Sequence, residues 1–185
     1  MRLVLGSVLT AIAIFVWGFL FWGMNIAQPF APVDPAAETA ISETLKANLK
    51  ADDAYYVPTM TMNDEKGWVE KHKAGPLAQI FYRAEGSDPM NPMTFVWGFV
   101  HMLVTALILG FALYMVSGGL ATYRQRVLAV VTFGIAASIF AHLSNPVWFL
   151  EPWHYSIAGA VYDFVAYVLA GLILGWFIRP GMKLI

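Results

Sequence analysis

Four stretches of the chain stay apolar long enough to cross a bilayer, and the polar positions between them are unevenly shared. A helix needs about 20 apolar residues to span the hydrocarbon core. Residues 3–24 (LVLGSVLTAIAIFVWGFLFWGM), 94–116 (TFVWGFVHMLVTALILGFALYMV), 127–145 (VLAVVTFGIAASIFAHLSN) and 153–178 (WHYSIAGAVYDFVAYVLAGLILGWFI) meet that length or come close to it. The first run exceeds the 7–15 residues of a signal-peptide apolar region and reads as an uncleaved anchor. A short link, NPVWFLEPW, joins the third and fourth runs into an antiparallel hairpin. In that link Pro146 is expected to halt one helix, and Pro152 suits the first turn of the next.

Between the first two runs the pattern changes. In PAAETAISETLKANLKA (35–51) Ile41, Leu45 and Leu49 recur every four residues, which predicts an amphipathic helix. NDEKGWVEKHKAG (63–75) reads as a shorter helix with Asn63 as its cap, Trp68 as its apolar anchor and Gly75 and Pro76 as its stop. AYYVP (54–58) and AQIFYRA (78–84) have the aromatic content of strands and are expected to pair as a small ribbon. His72, between Lys71 and Lys73, is read as a solvated residue on a charged face. The predicted fold class is an all-α membrane protein. It is a four-helix transmembrane bundle, N-in/C-in, with a small α+β extracytoplasmic insertion, the cap of residues 25–93, between spans one and two.

Charge supplies the direction. Arg2, Arg124, Arg126, Arg179 and Lys183 flank the spans on one side with no acidic neighbour there. Segment 25–93 holds six basic and ten acidic residues. Basic residues gather on the cytoplasmic side, so both termini are expected inside and residues 25–93 outside, as in a bacterial inner membrane. Trp22, Trp97, Trp148 and Trp153 fall near the outer interface, where an aromatic belt sits.

Composition agrees. The chain of 185 residues is 59% hydrophobic and 12% charged, where soluble domains average about 25% charged. A net charge of −1 offers nucleic acid no basic field. With no cysteine, disulfides, CxxC redox chemistry, thiolate zinc sites and iron–sulfur clusters are excluded. No nucleotide-binding glycine pattern, GxSxG or HExxH occurs.

Ionisable residues inside a span are costly and mark function or pairing. At 1.5 Å per residue His101 lies ~10 Å into span two, His142 ~5 Å from the end of span three, and Asp163 ~15 Å along span four. Helical spacing groups Trp97, His101 and Thr105 on one face, Ser138, His142 and Asn145 on another, and Ser156, Gly159 and Asp163 on a third. Lipid cannot satisfy such groups, so each stripe is expected to turn inward. The candidate constellation is His101, His142 and Asp163, with Ser138, Thr105 and Tyr162 nearby. His154 is about half a turn away from Asp163 around a straight helix, and it joins Glu151 as the rim.

Three readings follow from these residues. They form a hydrogen-bonding clasp between helices; or a site for a small ligand such as a quinone, or for a proton relay; or ligands for a haem or metal, with His101 and His142 as donors. The first implies no cofactor. Gly171 and Gly175 (GLILG) permit close helix packing, within the chain or with a partner.

VWGFLFWG (16–23), FYRAEGSDPMNP (81–92), RQRVL (124–128) and LAGLILGWFIRP (169–180) resemble a loose family of small four-span bacterial inner-membrane proteins with no established activity. The resemblance covers most of the chain and implies architecture and topology only. The expected function is that of a non-catalytic accessory, assembly or stabilising subunit. Its partners are the lipid bilayer and other subunits or a second copy. The alternative is a membrane redox or small-ligand-binding protein built on the histidines.

Overall fold

The computed structural model describes residues 1–24, 26, 30–60 and 63–182. Contacts divide the chain into two compact units, residues 32–89 and the remainder. Lys183 lies outside the described residues.

In residues 32–89, helix α2 (Pro35–Asn48) starts where Asp34 accepts the Ala36 amide at 2.9 Å. Strands β1 (Asp53–Val57) and β2 (Ala78–Tyr82) pair antiparallel with Tyr55 opposite Ile80. Between them runs helix α3 (Glu65–Ala74). Asp64, not Asn63, caps it, because the Asp64 carboxylate accepts the Gly67 amide at 3.0 Å. Trp68 anchors α3 by donating from Nε1 to the Pro58 carbonyl at 3.1 Å. His72 departs from the expected solvated state. It is half-buried, with its ring 5.0 Å from Trp68 and 6.5 Å from Tyr56, because the turn of α3 that exposes Lys71 and Lys73 points His72 inward with Trp68.

The second unit is helical. Helix α1 (Arg2–Gly18) continues through a wide π turn (Phe19–Gly23). Helix α4 (Pro92–Val116) is capped by Asn91 and ends in a tight turn at Ser117–Gly119. Helix α5 (Tyr123–Ser138) widens into a π turn (Ile139–Leu143) and runs on into helix α6 (Ser144–Trp148). Helix α7 (Trp153–Phe177) completes the unit. Four helical segments are long and apolar enough to cross a membrane: Arg2–Gly23, Pro92–Gly119, Tyr123–Trp148 and Trp153–Phe177.

The third segment differs from the expected 127–145 at both ends. It starts at Tyr123 because Thr122 and Gln125 form a reciprocal capping box, with the Gln125 amide donating to Thr122 Oγ1 at 3.2 Å. It also passes Pro146, which was expected to stop it. A proline ring clashes with the carbonyl four residues earlier, here that of His142. The π turn over Ile139–Leu143 opens the backbone at that point, and Pro146 lies buried within α6. The chain reverses only after Trp148, where Leu150 takes the left-handed φ of 57°.

Small residues on α7 set the packing. Ser156, Ala158, Gly159, Ala166, Ala170, Gly171, Leu174 and Gly175 are its buried positions, a pattern that lets backbones approach. On one side α5 presses in: Tyr167 sits over Gly134, and a Cβ on Gly171 would lie 3.2 Å from the Val127 carbonyl. On the other side α1 packs, with Phe177 against Gly6, and α4 leans on α1. There Ser7 donates to the Ala106 carbonyl at 3.2 Å, both partners buried. The helices therefore follow the order α4, α1, α7, α5, with Ile14, Leu113, Val130, Ala166, Ala170, Leu174 and Ile178 as the core. Contact between α4 and α5 is slight, so one side of the bundle stays open.

Arg126 fixes the closed end of that opening. It is 5% exposed. Its Nε donates to the Gly175 carbonyl at 2.9 Å, and its Nη1 to the carbonyls of Leu120 at 3.0 Å and Ala121 at 3.1 Å. A cation near the C-terminal end of α7 also suits the helix dipole. Arg126 is thus a buried tie and not a solvated loop charge. Arg126→Ala is expected to lower unfolding stability in detergent by on the order of 3 kcal/mol, with Arg126→Lys in between. Denaturant titration followed by circular dichroism measures this. Wild-type stability in the alanine variant would show that the tie contributes nothing.

Candidate functional site

The open side of the bundle is a wedge. At its narrow end α4 and α5 approach, and Leu109, Ala112, Leu113, Val116, Ala129, Val130 and Phe133 enclose an apolar recess of about 200 Å³. Toward the other end the helices separate. A second recess of about 220 Å³ there is lined by α1, α4 and α7 without any residue of α5. Leu109 borders both recesses. The polar residues belong to the wide end, where the wall from α4 carries His101, Met102 and Thr105 and the floor from α7 carries Tyr162, Asp163 and Tyr167.

Asp163 is the centre of the arrangement. Its Oδ2 lies 2.9 Å from Nε2 of His142, and both side chains are about one-third exposed. Gly159, one turn before Asp163, is what admits the imidazole. A Cβ there would lie 2.6 Å from His142 Nδ1. The π turn that accommodates Pro146 contains His142, so the backbone irregularity and the pair come from the same stretch of sequence. Single π turns inside helices recur at functional sites. A second one, Phe19–Gly23 in α1, flanks the same part of α7. Phe21 and Trp22 pack on the Tyr162 ring at 5.5 Å each, and Trp17 stacks on it at 6.3 Å. Trp17 Nε1 also donates to the Tyr162 carbonyl at 3.1 Å. These aromatic partners of Tyr162 were missed from sequence. Trp17 and Phe21 do stand at i and i+4, the spacing of one helix face, which was the available signal; Trp22 lies in the π turn, where regular spacing does not apply.

The expected constellation is therefore divided. His142 and Asp163 meet directly. His101, Thr105, Tyr162 and Asp163 share the wide recess. Thr105 donates to the His101 carbonyl at 3.0 Å, one turn back in its own helix. Of the expected α4 stripe His101 and Thr105 border the wedge but remain exposed there because no helix covers them, and Trp97 lies exposed outside both recesses. Ser138 is not part of the group. It is buried, donates to the Gly134 carbonyl at 2.7 Å, and borders a different recess with Ile139, Leu143 and Ala160. In a regular helix Ser138 and His142 would share a face; the wide turn that starts at Ile139 rotates them apart.

The expected rim also separates from the wedge. Glu151 accepts a hydrogen bond from Ser156 at 3.0 Å, which braces the turn into α7. His154 is exposed on the first turn of α7. Neither lines the wide recess. Gly171 and Gly175 lie in the seam between α7 and α5, against Val127 and Tyr123. His142 is turned to Asp163 and Gly159, while His101 stands on the opposite wall. Among the described residues no group of three or more His, Cys, Asp or Glu gathers around a point where a metal ion would sit.

The pair joins α5 to α7 and exposes the other side of Asp163 to the wedge. Its coupling is measurable by a double-mutant cycle with His142→Ala and Asp163→Ala. Hydrogen bonds between membrane helices contribute about 0.6 kcal/mol on average, up to ~1.7, and a direct contact of 2.9 Å between an acid and an imidazole is expected near the upper value. A coupling within error of zero would show that the two residues do not act together. Comparison of the chain with family models, with curated proteins and with solved structures returned no match.

Proposed function

We propose that this chain is a non-catalytic subunit of a larger bacterial inner-membrane complex, acting in its assembly or stabilisation. The supporting observation is the unclosed side of the bundle. Helix α4 leans mainly on α1 and touches α5 and α7 only slightly, and His101 and Thr105 stand exposed along it. Packing and interhelical hydrogen bonds drive helix association in lipid, so an open flank with polar positions favours a further component in contact with it. Respiratory and photosynthetic complexes are the classes to examine first.

A second reading has its own observation. The wide recess carries an acid, a histidine and two phenol-bearing rings beside apolar walls, the mixture found in small-molecule sites. In that reading the protein is a membrane binding protein for a small ligand. Haem or metal ligation by His101 and His142 is less well supported, since His142 is directed at Asp163.

The absence of cysteine makes topology directly testable. With both termini in the cytoplasm, Ser87→Cys is expected to react with an impermeant maleimide in intact spheroplasts. Gly119→Cys is expected to react only after the membrane is opened. The reverse pattern would invert the orientation. For the subunit reading, the tagged protein purified in a mild detergent is expected to migrate well above its own 20.5 kDa, with other membrane polypeptides in fixed ratio by mass spectrometry. A homogeneous species of this chain alone, from native expression levels, would defeat it.

A further inference from the structure

Only one oxygen of Asp163 is occupied by His142, namely Oδ2. Among the described residues Oδ1 has no hydrogen-bond partner, and Asp163 lines the wide recess. We infer that the wedge binds a neutral amphiphile of the quinone class, its ring head in the wide recess against His101 and Asp163 and its apolar tail toward the narrow end. This rests on the small-ligand reading and names the ligand's chemistry.

The recess, about 220 Å³ and without a wall from α5, has room for a ring-shaped head group. Charge then selects among lipid heads. No lysine or arginine lines the recess, and a carboxylate does. A phosphate or carboxylate head is opposed by the cost of giving up its hydration with no lysine or arginine there to pair with. A neutral ring with carbonyl or hydroxyl groups meets no such opposition. Its carbonyl accepts from a His101 ring N–H, and in the reduced form its hydroxyl donates to Asp163 Oδ1. Tyr162 and Tyr167 contribute to the floor, and aromatic side chains suit a flat π system nearby. Leu109 borders both the polar recess and one lined solely by Leu, Ala, Val and Phe, so the apolar tail of a molecule held in the first has an apolar recess beside it. The wedge opens sideways between α4 and α5, the direction from which a bilayer-dissolved molecule arrives.

The test uses the full chain in phospholipid nanodiscs and a benzoquinone carrying one isoprenoid unit as the probe. Trp17 and Trp22 pack on Tyr162, so a bound quinone quenches their fluorescence. Saturable quenching is expected, with about one quinone per chain. Asp163→Asn and His101→Leu should weaken binding by about tenfold or more, the scale of one charge-assisted hydrogen bond. Thr105→Phe fills the recess from an exposed position, spares the fold, and should abolish saturation. His154→Ala, outside the recess, should bind as the wild type does. Quenching that rises linearly with quinone in the membrane, or equal affinity in all variants, would overturn the assignment. A neutral fluorescent diacylglycerol runs in parallel. If it binds saturably, is lost in Thr105→Phe and is not displaced by quinone, the quinone class fails while the small-ligand reading stands. If neither probe saturates, both fail.

Discussion

Hydrocarbon offers no hydrogen bonds, and every polar group placed in it must find its partner within the protein. That constraint organises the helical unit. Asp163 is answered by His142, Arg126 by three backbone carbonyls, Ser7 by Ala106, and Trp17 by Tyr162. Each of these contacts crosses from one segment to another. Together with the close approach at the small residues of α7 they fix the order of the helices, because a leucine face in lipid is nearly indifferent to which apolar neighbour it meets.

The same constraint makes the wedge conspicuous. Helix α7 is surrounded on its small-residue faces, where α1 and α5 approach closely. Helix α4 has only one firm neighbour. Its hydrogen bond to Ser7 engages a backbone carbonyl, and Thr105 donates back to the His101 carbonyl, so it is the His101 ring that faces whatever occupies the opening. Two π turns, each next to an aromatic or histidine contact on α7, widen the helices on either side of residues 159–163. The polar end of the opening is thus built from backbone irregularities as well as from side chains.

Much of this was legible in the sequence. Apolar run length located the four long helices to within a few residues. Aromatic content marked both strands, and two residues of the α4 stripe, His101 and Thr105, border the shared recess, while Trp97 stands exposed outside it. The losses have a common origin. Periodicity assumes a constant helical turn, and the wide turn at Ile139–Leu143 breaks that assumption, separating Ser138 from His142. Pro146 was the signal for it, but a proline reads as a stop unless the π turn that tolerates it is known. Arg126 was counted as a loop charge because hydropathy begins the span at Val127, whereas the capping box at Thr122 draws the arginine into the helix. His72 looked solvated because its neighbours in sequence are lysines, while its neighbours in space are Trp68 and Tyr56. Residues that border the recess without charge, such as Met102 and Leu109, carry no sequence mark at all.

Arg126 also has a mechanical consequence. By tying the turn between α4 and α5 to the end of α7, it places a pivot at the narrow end of the wedge. Helix α4, with 25 residues, is a lever arm of about 37 Å. A tilt of about 5° at the pivot displaces the far end by ~3 Å, the width of one atom layer. Any tilt permitted at that turn is therefore largest at the His101 end of α4, far from the residues that tie it.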